Sequence, residues 1–168
     1  PGGGRVWGTG FMPATYQGTR FRTGSQPILH LTPPEKIADA QQRKKLTFIK
    51  QLNQRHAQDR PLNSDLDARI NAYELAYRMQ ASAPEAVDLT KESEETKKLY
   101  ALDDPVAGRF GKQCLQARRL VERGVRFIQL YSGGGHSDQN WDAHGDVNSN
   151  HELHCAETDR PIHALLTD

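Results

Sequence analysis

Residues 125–131 form a short apolar run, and this run sets the fold class that we expect. Val125, Phe127 and Ile128 are β-branched or aromatic, and the run is too short for a stable helix. Apolar residues occupy both odd and even positions, so both faces of a strand here would be buried. A strand of this kind belongs in a parallel sheet that is covered by helices. The sequence therefore predicts an α/β fold with one clear strand at about 125–131.

A polar, glycine-rich loop follows this run at residues 132–146. Ligands of open α/β sheets bind beyond the carboxyl ends of the strands, which is where this loop would emerge. Asp142 and His144 offer a carboxylate oxygen and an imidazole nitrogen, which are donors that zinc and manganese accept. An extended backbone would point both side chains to one side, because alternate residues share a face. The pair predicts a metal site, and the alternative is a loop that is simply solvated.

Three further histidines are weaker candidates for metal ligands. His136 lies in the same loop. His151 and His154 are three residues apart, which places them on one face of the helix that we expect to begin near Ser149. Helical metal sites use such spacing. The alternative is a surface helix whose first turns happen to carry two histidines.

The first part of the chain is predicted to lie outside the core. Residues 1–34 are rich in glycine, proline and threonine and are predicted to form a loop segment with aromatic anchors. Residues 35–104 are predicted to be a helical insertion. Its helices, at about 35–56 and 64–84, would form an antiparallel hairpin. The charged run at 91–98 is interpreted as a solvated face.

Residues 105–168 are predicted to be the helix, strand, loop and helix of the core. The first helix would run from Pro105 to about Arg123, where Gly124 ends it. The last helix contains Pro161, which predicts a kink or a restart because proline lacks the N–H group. Helix, strand and helix in succession favour a layered α/β fold.

Composition excludes several classes of function. The chain has 168 residues, enough for one modest domain, and its net charge of +1 leaves no basic excess for nucleic acid. No apolar run reaches membrane-spanning length, and no signal peptide is visible. The chain opens on Pro-Gly-Gly-Gly and stops within a helical pattern. We therefore expect an internal part of a longer protein.

Four phrases carry a resemblance that spans essentially the whole chain. They are WGTGFMPATYQG at 7–18, LYALDDP at 99–105, CLQARRLVERGVRF at 114–127 and WDAHG at 141–145. In this order they resemble the bacterial sulfatase-like family known as domain of unknown function 1501, which is grouped with the alkaline-phosphatase-like superfamily. The resemblance implies a fragment of a three-layer α/β/α fold, of which the visible part is mostly helical.

The resemblance also implies a chemistry. Characterised members of the superfamily hydrolyse sulfate or phosphate esters with one or two divalent metals, so it implies zinc, manganese or calcium here, with Asp142 and His144 as ligands of one ion. The substrate would be a small-molecule or polysaccharide ester. Export to the periplasm or the cell exterior is implied as well. Ser132, Ser137 and Thr9 could be proposed as nucleophiles, but none lies in a recognisable nucleophile elbow and none has an obvious base, so no nucleophile is assigned.

The binding residues for such a substrate are less defined. Arg20 and Arg22 are candidates for clamping an anionic group, and Trp141 is a candidate for contacting the substrate. The alternative for the arginines is an ordinary surface position. The alternative for the whole chain is a catalytically inactive member that uses the fold to bind glycans or proteins at the cell surface. In that case Trp7, Phe11, Tyr16 and Trp141 would matter more than Asp142 and His144.

Overall fold

The computed structural model consists of helices joined by turns and irregular segments. It describes residues 8–13, 16–22, 27–28, 37–58, 60, 64–132 and 140–168. The helices across these residues are α1 (Asp39–Gln58), α2 (Ser64–Val87), α3 (Glu94–Leu99), α4 (Gly108–Glu122) and α5 (Val147–Thr167). The chain divides into two compact units, Pro1–Pro84 and Glu85–Asp168.

The prediction of an α/β fold is wrong for the part of the chain that the structure describes, which contains no strand and no sheet. Residues 125–131 are irregular backbone, because no described segment supplies the hydrogen-bonded neighbour that a strand needs. The expectation of two buried faces also fails. Phe127 is 82% exposed, whereas Ile128 and Leu130 are half-buried, and Leu130 packs against the core. The apolar run therefore covers the helices with one face only.

The first unit contains the hairpin that the sequence predicts. α1 has no buried residue, although its half-buried Leu46 and Ile49 line a common cavity with Ile70 and Tyr73 of α2. Tyr77 donates a hydrogen bond to Asp39 over 2.7 Å, and Arg43 pairs with Glu74 over 3.2 Å. The guanidinium of Arg43 also lies 4.6 Å from the centre of the Tyr77 ring, within the range of a cation–π contact. The hairpin is thus joined by exposed polar pairs beside a half-buried apolar stripe.

The second unit contains a tightly packed core. α4 packs against α5, and α3 contacts α5 as well. The core residues are Tyr100, Leu102, Cys114, Leu115 and Ala164. α4 approaches the preceding turn so closely that a methyl group built on Gly111 would overlap the carbonyl oxygen of Tyr100. Only glycine fits this crossing, and the Tyr100 hydroxyl donates to Asp168 at the carboxyl end of α5.

Helix bounds differ modestly from the predictions. α2 begins at Ser64 as predicted and continues past Pro84, and α4 begins at Gly108 because residues 105–107 form a turn. Asp104 caps that turn by accepting hydrogen bonds from the backbone amides of Val106 and Ala107. α5 is continuous through Pro161.

The segment division predicted from the sequence stays a prediction. Among the described residues, no helix combines the length and the apolar character that crossing a membrane requires.

Candidate functional site

Trp141 is the centre of the candidate site. Its indole stacks on the His154 ring, with 5.2 Å between centroids and 28° between planes, and its ring centroid lies 5.9 Å from that of His151. The indole Nε1 donates to the Ser132 hydroxyl over 3.4 Å. The backbone is held as well, since the Trp141 carbonyl oxygen lies 3.1 Å from His151 Nε2. A carbonyl only accepts, so His151 carries its proton on Nε2.

The start of α5 positions this tryptophan. Asp146 is the N-cap, because its carboxylate accepts a hydrogen bond from the backbone amide of Ser149 over 3.1 Å. Hydrogen bonds from the Ser149 side chain and backbone hold the pKa of Asp146 below its usual value. Asn150 then donates to the carbonyl oxygen of Asn140 over 3.0 Å. The first turn of α5 therefore fixes both ends of the loop at 140–146.

Asp142 and His144 lie within this loop, and the structure brings them together. His144 Nδ1 is 3.3 Å from Asp142 Oδ1, and the side chains are 86% and 77% exposed. Two donors on one ion, each about 2.1 Å from it, stand about 3.0 to 3.5 Å apart in octahedral or tetrahedral geometry. The 3.3 Å separation is that of a direct His–Asp pair, and it is also compatible with two ligands of a single ion on an accessible surface.

His154 differs from that pair because it is buried. Its side chain is 3% exposed, and Nδ1 lies 2.9 Å from Glu157 Oε2, on the next turn of the same helix. The carboxylate fixes the tautomer, since it accepts the proton of Nδ1–H. Nε2 has no hydrogen-bond partner in the structure. The His154 ring is therefore held by Glu157 through Nδ1 and by Trp141 through stacking on its face.

The predicted metal ligands separate into two groups. Asp142 and His144 form the exposed pair, whereas His151 and His154 contact Trp141. His136 lies outside the described residues. Across the described ranges, no group of three or more histidine, cysteine, aspartate or glutamate side chains is arranged to hold a metal ion. Asp142 and His144 are thus a pair of potential ligands within the described ranges.

The predicted substrate-binding residues all retain exposed side-chain surface. Arg20 and Arg22 are exposed side chains in the first unit, and the Arg22 backbone amide donates to Pro27. Their role as an anion clamp stays a prediction. Trp141 is 41% exposed, so part of its indole remains accessible to a substrate.

Sequence reasoning missed the contacts that three residues make in the site: Ser132, Asn150 and Glu157. The spacing of Glu157, three positions after His154 on one helix, is a signal that could have identified the oriented imidazole. Nothing in the sequence indicates that Ser132 or Asn150 contacts the loop, because both contacts depend on how the chain returns to α5.

The family of this chain follows from comparison with known proteins. A family model described as a protein of unknown function, DUF1501, matches residues 1–168. The chain belongs to the DUF1501 family. No curated protein and no solved structure matches this DUF1501 protein. The comparison confirms the family resemblance of the four sequence phrases.

Proposed function

We propose that this DUF1501 protein is a metal-dependent hydrolase of sulfate or phosphate esters, in which Asp142 and His144 bind a divalent ion. The observation that carries the proposal is the 3.3 Å separation of Asp142 Oδ1 and His144 Nδ1 on an accessible surface. One nitrogen and one oxygen donor favour zinc or manganese over calcium, which prefers oxygen ligands throughout.

The residues present fit such an ion in part. Asp142 would supply a negatively charged oxygen ligand for the cation, and His144 would supply a neutral nitrogen ligand through Nδ1. When bound, the ion would supply charge stabilisation for the transferred sulfuryl or phosphoryl group and an acidified water. The exposed part of the Trp141 indole lies next to Asp142 in the chain and offers an apolar surface to the organic part of an ester. The chemistry is thus of the sulfatase-like type, and we propose a periplasmic or extracellular location for it.

The test is metal binding by isosteric variants. We expect zinc or manganese binding, measured by calorimetry and elemental analysis, to weaken at least 10-fold in Asp142→Asn and in His144→Gln, since loss of even an indirect partner of a metal costs 10- to 100-fold. Asp159→Asn and His163→Gln are matched controls, because both side chains are exposed on α5. Hydrolysis of aryl sulfates and aryl phosphates should be lost with a chelator. Equal binding by the wild type and the two site variants would refute the proposal.

The exposed face of Trp141 favours a second candidate, a catalytically inactive protein that binds glycans at the cell surface. Aromatic side chains with one accessible face are suited to packing against sugar rings. In this case Trp141→Ala would abolish retention on polysaccharide affinity gels, and Asp142→Asn would leave retention unchanged. The opposite pattern would favour the hydrolase.

A further inference from the structure

α5 makes a set of contacts with the preceding loop that do not involve the side chains of Asp142 and His144. Asn150, His151 and His154 lie on its first two turns and all contact the loop that precedes the helix. Asn150 holds the carbonyl of Asn140, and His151 holds the carbonyl of Trp141. His154 stacks on the indole. Two successive carbonyls and one side chain are therefore fixed immediately before Asp142.

The loop is fixed on its other side too. Asp146 caps α5 through Ser149, with an amide hydrogen bond of 3.1 Å and a hydroxyl hydrogen bond of 2.7 Å. Only residues 142–145 lie between the two anchors, Trp141 and Asp146. A short segment with both ends fixed has few backbone conformations, which reduces the entropy that a bound ion would otherwise cost. Groups on α5 thus hold both ends of the segment that carries Asp142 and His144.

Burial and the described ligand groups argue against His151 and His154 as metal ligands, whereas their hydrogen bonds do not, because metal-binding histidines also donate their other ring N–H to an oxygen. Nε2 of His151 donates its proton to a carbonyl, and Nδ1 of His154 donates to Glu157. His154 is 3% exposed, whereas the metal pair is on the surface. No described group of three potential ligands includes either histidine. Their shared neighbour is Trp141.

We propose that His151 and His154 are positioning residues, which hold Trp141 and through it orient Asp142 and His144 for a divalent ion. The inference rests on the proposed function, because it assigns the role of these histidines at the same metal site. His151 acts through a hydrogen bond to the backbone, and His154 acts through the face of its ring. Glu157 holds that ring by accepting the Nδ1–H hydrogen bond.

The experiment is zinc binding by paired variants of the full chain, measured by calorimetry with zinc alone. We expect His151→Ala and His154→Ala to weaken zinc binding about 10-fold, in the range for residues that orient a metal ligand. We expect His154→Phe, which keeps a stacked ring without nitrogen, and His151→Gln, which keeps an N–H donor, to stay within about threefold of the wild type. His163→Ala is the control for an exposed histidine on the same helix.

The outcomes separate the two proposals. A wild type that binds no zinc overturns both of them. If zinc binds and His154→Phe loses as much affinity as His154→Ala, a stacked ring is not sufficient, so positioning through the face of His154 is overturned while the metal site stands. If both alanine variants bind like the wild type, the positioning role alone fails. Cooperative thermal unfolding of each variant distinguishes a local effect from failure to fold, and the conservative substitutions keep the test valid where alanine unfolds the unit.

Discussion

The two units of this DUF1501 protein stabilise their helices in different ways. In the first unit, α1 buries none of its residues, and exposed side chains such as Arg43 join it to α2. In the second unit, Tyr100, Cys114 and Leu115 are completely buried. Surface ion pairs contribute about 0–1 kcal/mol each, whereas a buried leucine contributes several times more. The second unit therefore has the rigidity that a site of defined geometry needs, and the candidate site lies on it.

The largest effect is expected where α4 crosses the turn at Tyr100. Gly111→Ala would place a methyl group against a backbone carbonyl, so α4 must move away from the core. We expect loss of cooperative unfolding in the second unit, followed by far-ultraviolet circular dichroism. Gly145→Ala is the control, because its surroundings are open. A Gly111→Ala protein as stable as the wild type would contradict the close approach of α4 to the Tyr100 carbonyl.

A buried cation gives the next largest effect. Arg119 is 9% exposed, pairs with Glu92, and donates to the carbonyl oxygens of Glu85 and Ala86. Arg119→Met should lower the free energy of unfolding by about 3 kcal/mol, since Glu92 keeps only the more distant Arg118, at 3.8 Å, and the carbonyl oxygens of Glu85 and Ala86 lose their donor. Chemical denaturation measures this change.

The double variant Arg119→Met with Glu92→Gln tests the reason for that loss. It should cost less than the sum of the single variants, because no buried charge is left unpaired. Strict additivity would mean that the two side chains do not interact.

The buried thiol of Cys114 gives an effect that depends on pH. Burial raises its pKa from 9.0 to about 11. Below pH 9 both folded and unfolded states keep the proton; above it the unfolded state loses the proton first, so stability should fall as pH rises from about 9 to about 11. Cys114→Ala should remove this part of the pH dependence. Thiol labelling at neutral pH should modify Cys155, which is half-buried, well before Cys114.

The smallest effect is expected in the hairpin. Arg43 is 52% exposed where it pairs with Glu74 and covers Tyr77. Arg43→Ala should change the free energy of unfolding by no more than about 1 kcal/mol. High salt should reduce the contribution of the Arg43–Glu74 ion pair to stability. Arg43→Lys keeps the positive charge but removes the planar guanidinium over Tyr77, so it measures the two contributions separately. A loss of unfolding free energy as large as that of Arg119→Met would contradict the proposed difference in stabilisation between the two units.

Local patterns predicted the helices more reliably than the strand. The hairpin helices and the helix after Asp104 have apolar periodicity, capping residues and a terminating Gly124 that act within a few residues. The run at 125–131 has β-forming residues, but a strand exists only when another segment pairs with it. The residue pattern within 125–131 contains no information about whether another segment is available to pair with it.

The candidate site shows the same division. The sequence by itself determined the family, the helical hairpin and the chemical character of the loop, because residue types and short spacings carry that information. The Asp142 and His144 pair was predictable because only Ala143 separates the two residues. Only the tertiary structure decided that His151 and His154 face Trp141 and that one of them is buried, since these contacts form when the loop returns against α5. Distances between side chains from separate elements depend on packing, and no single segment encodes them.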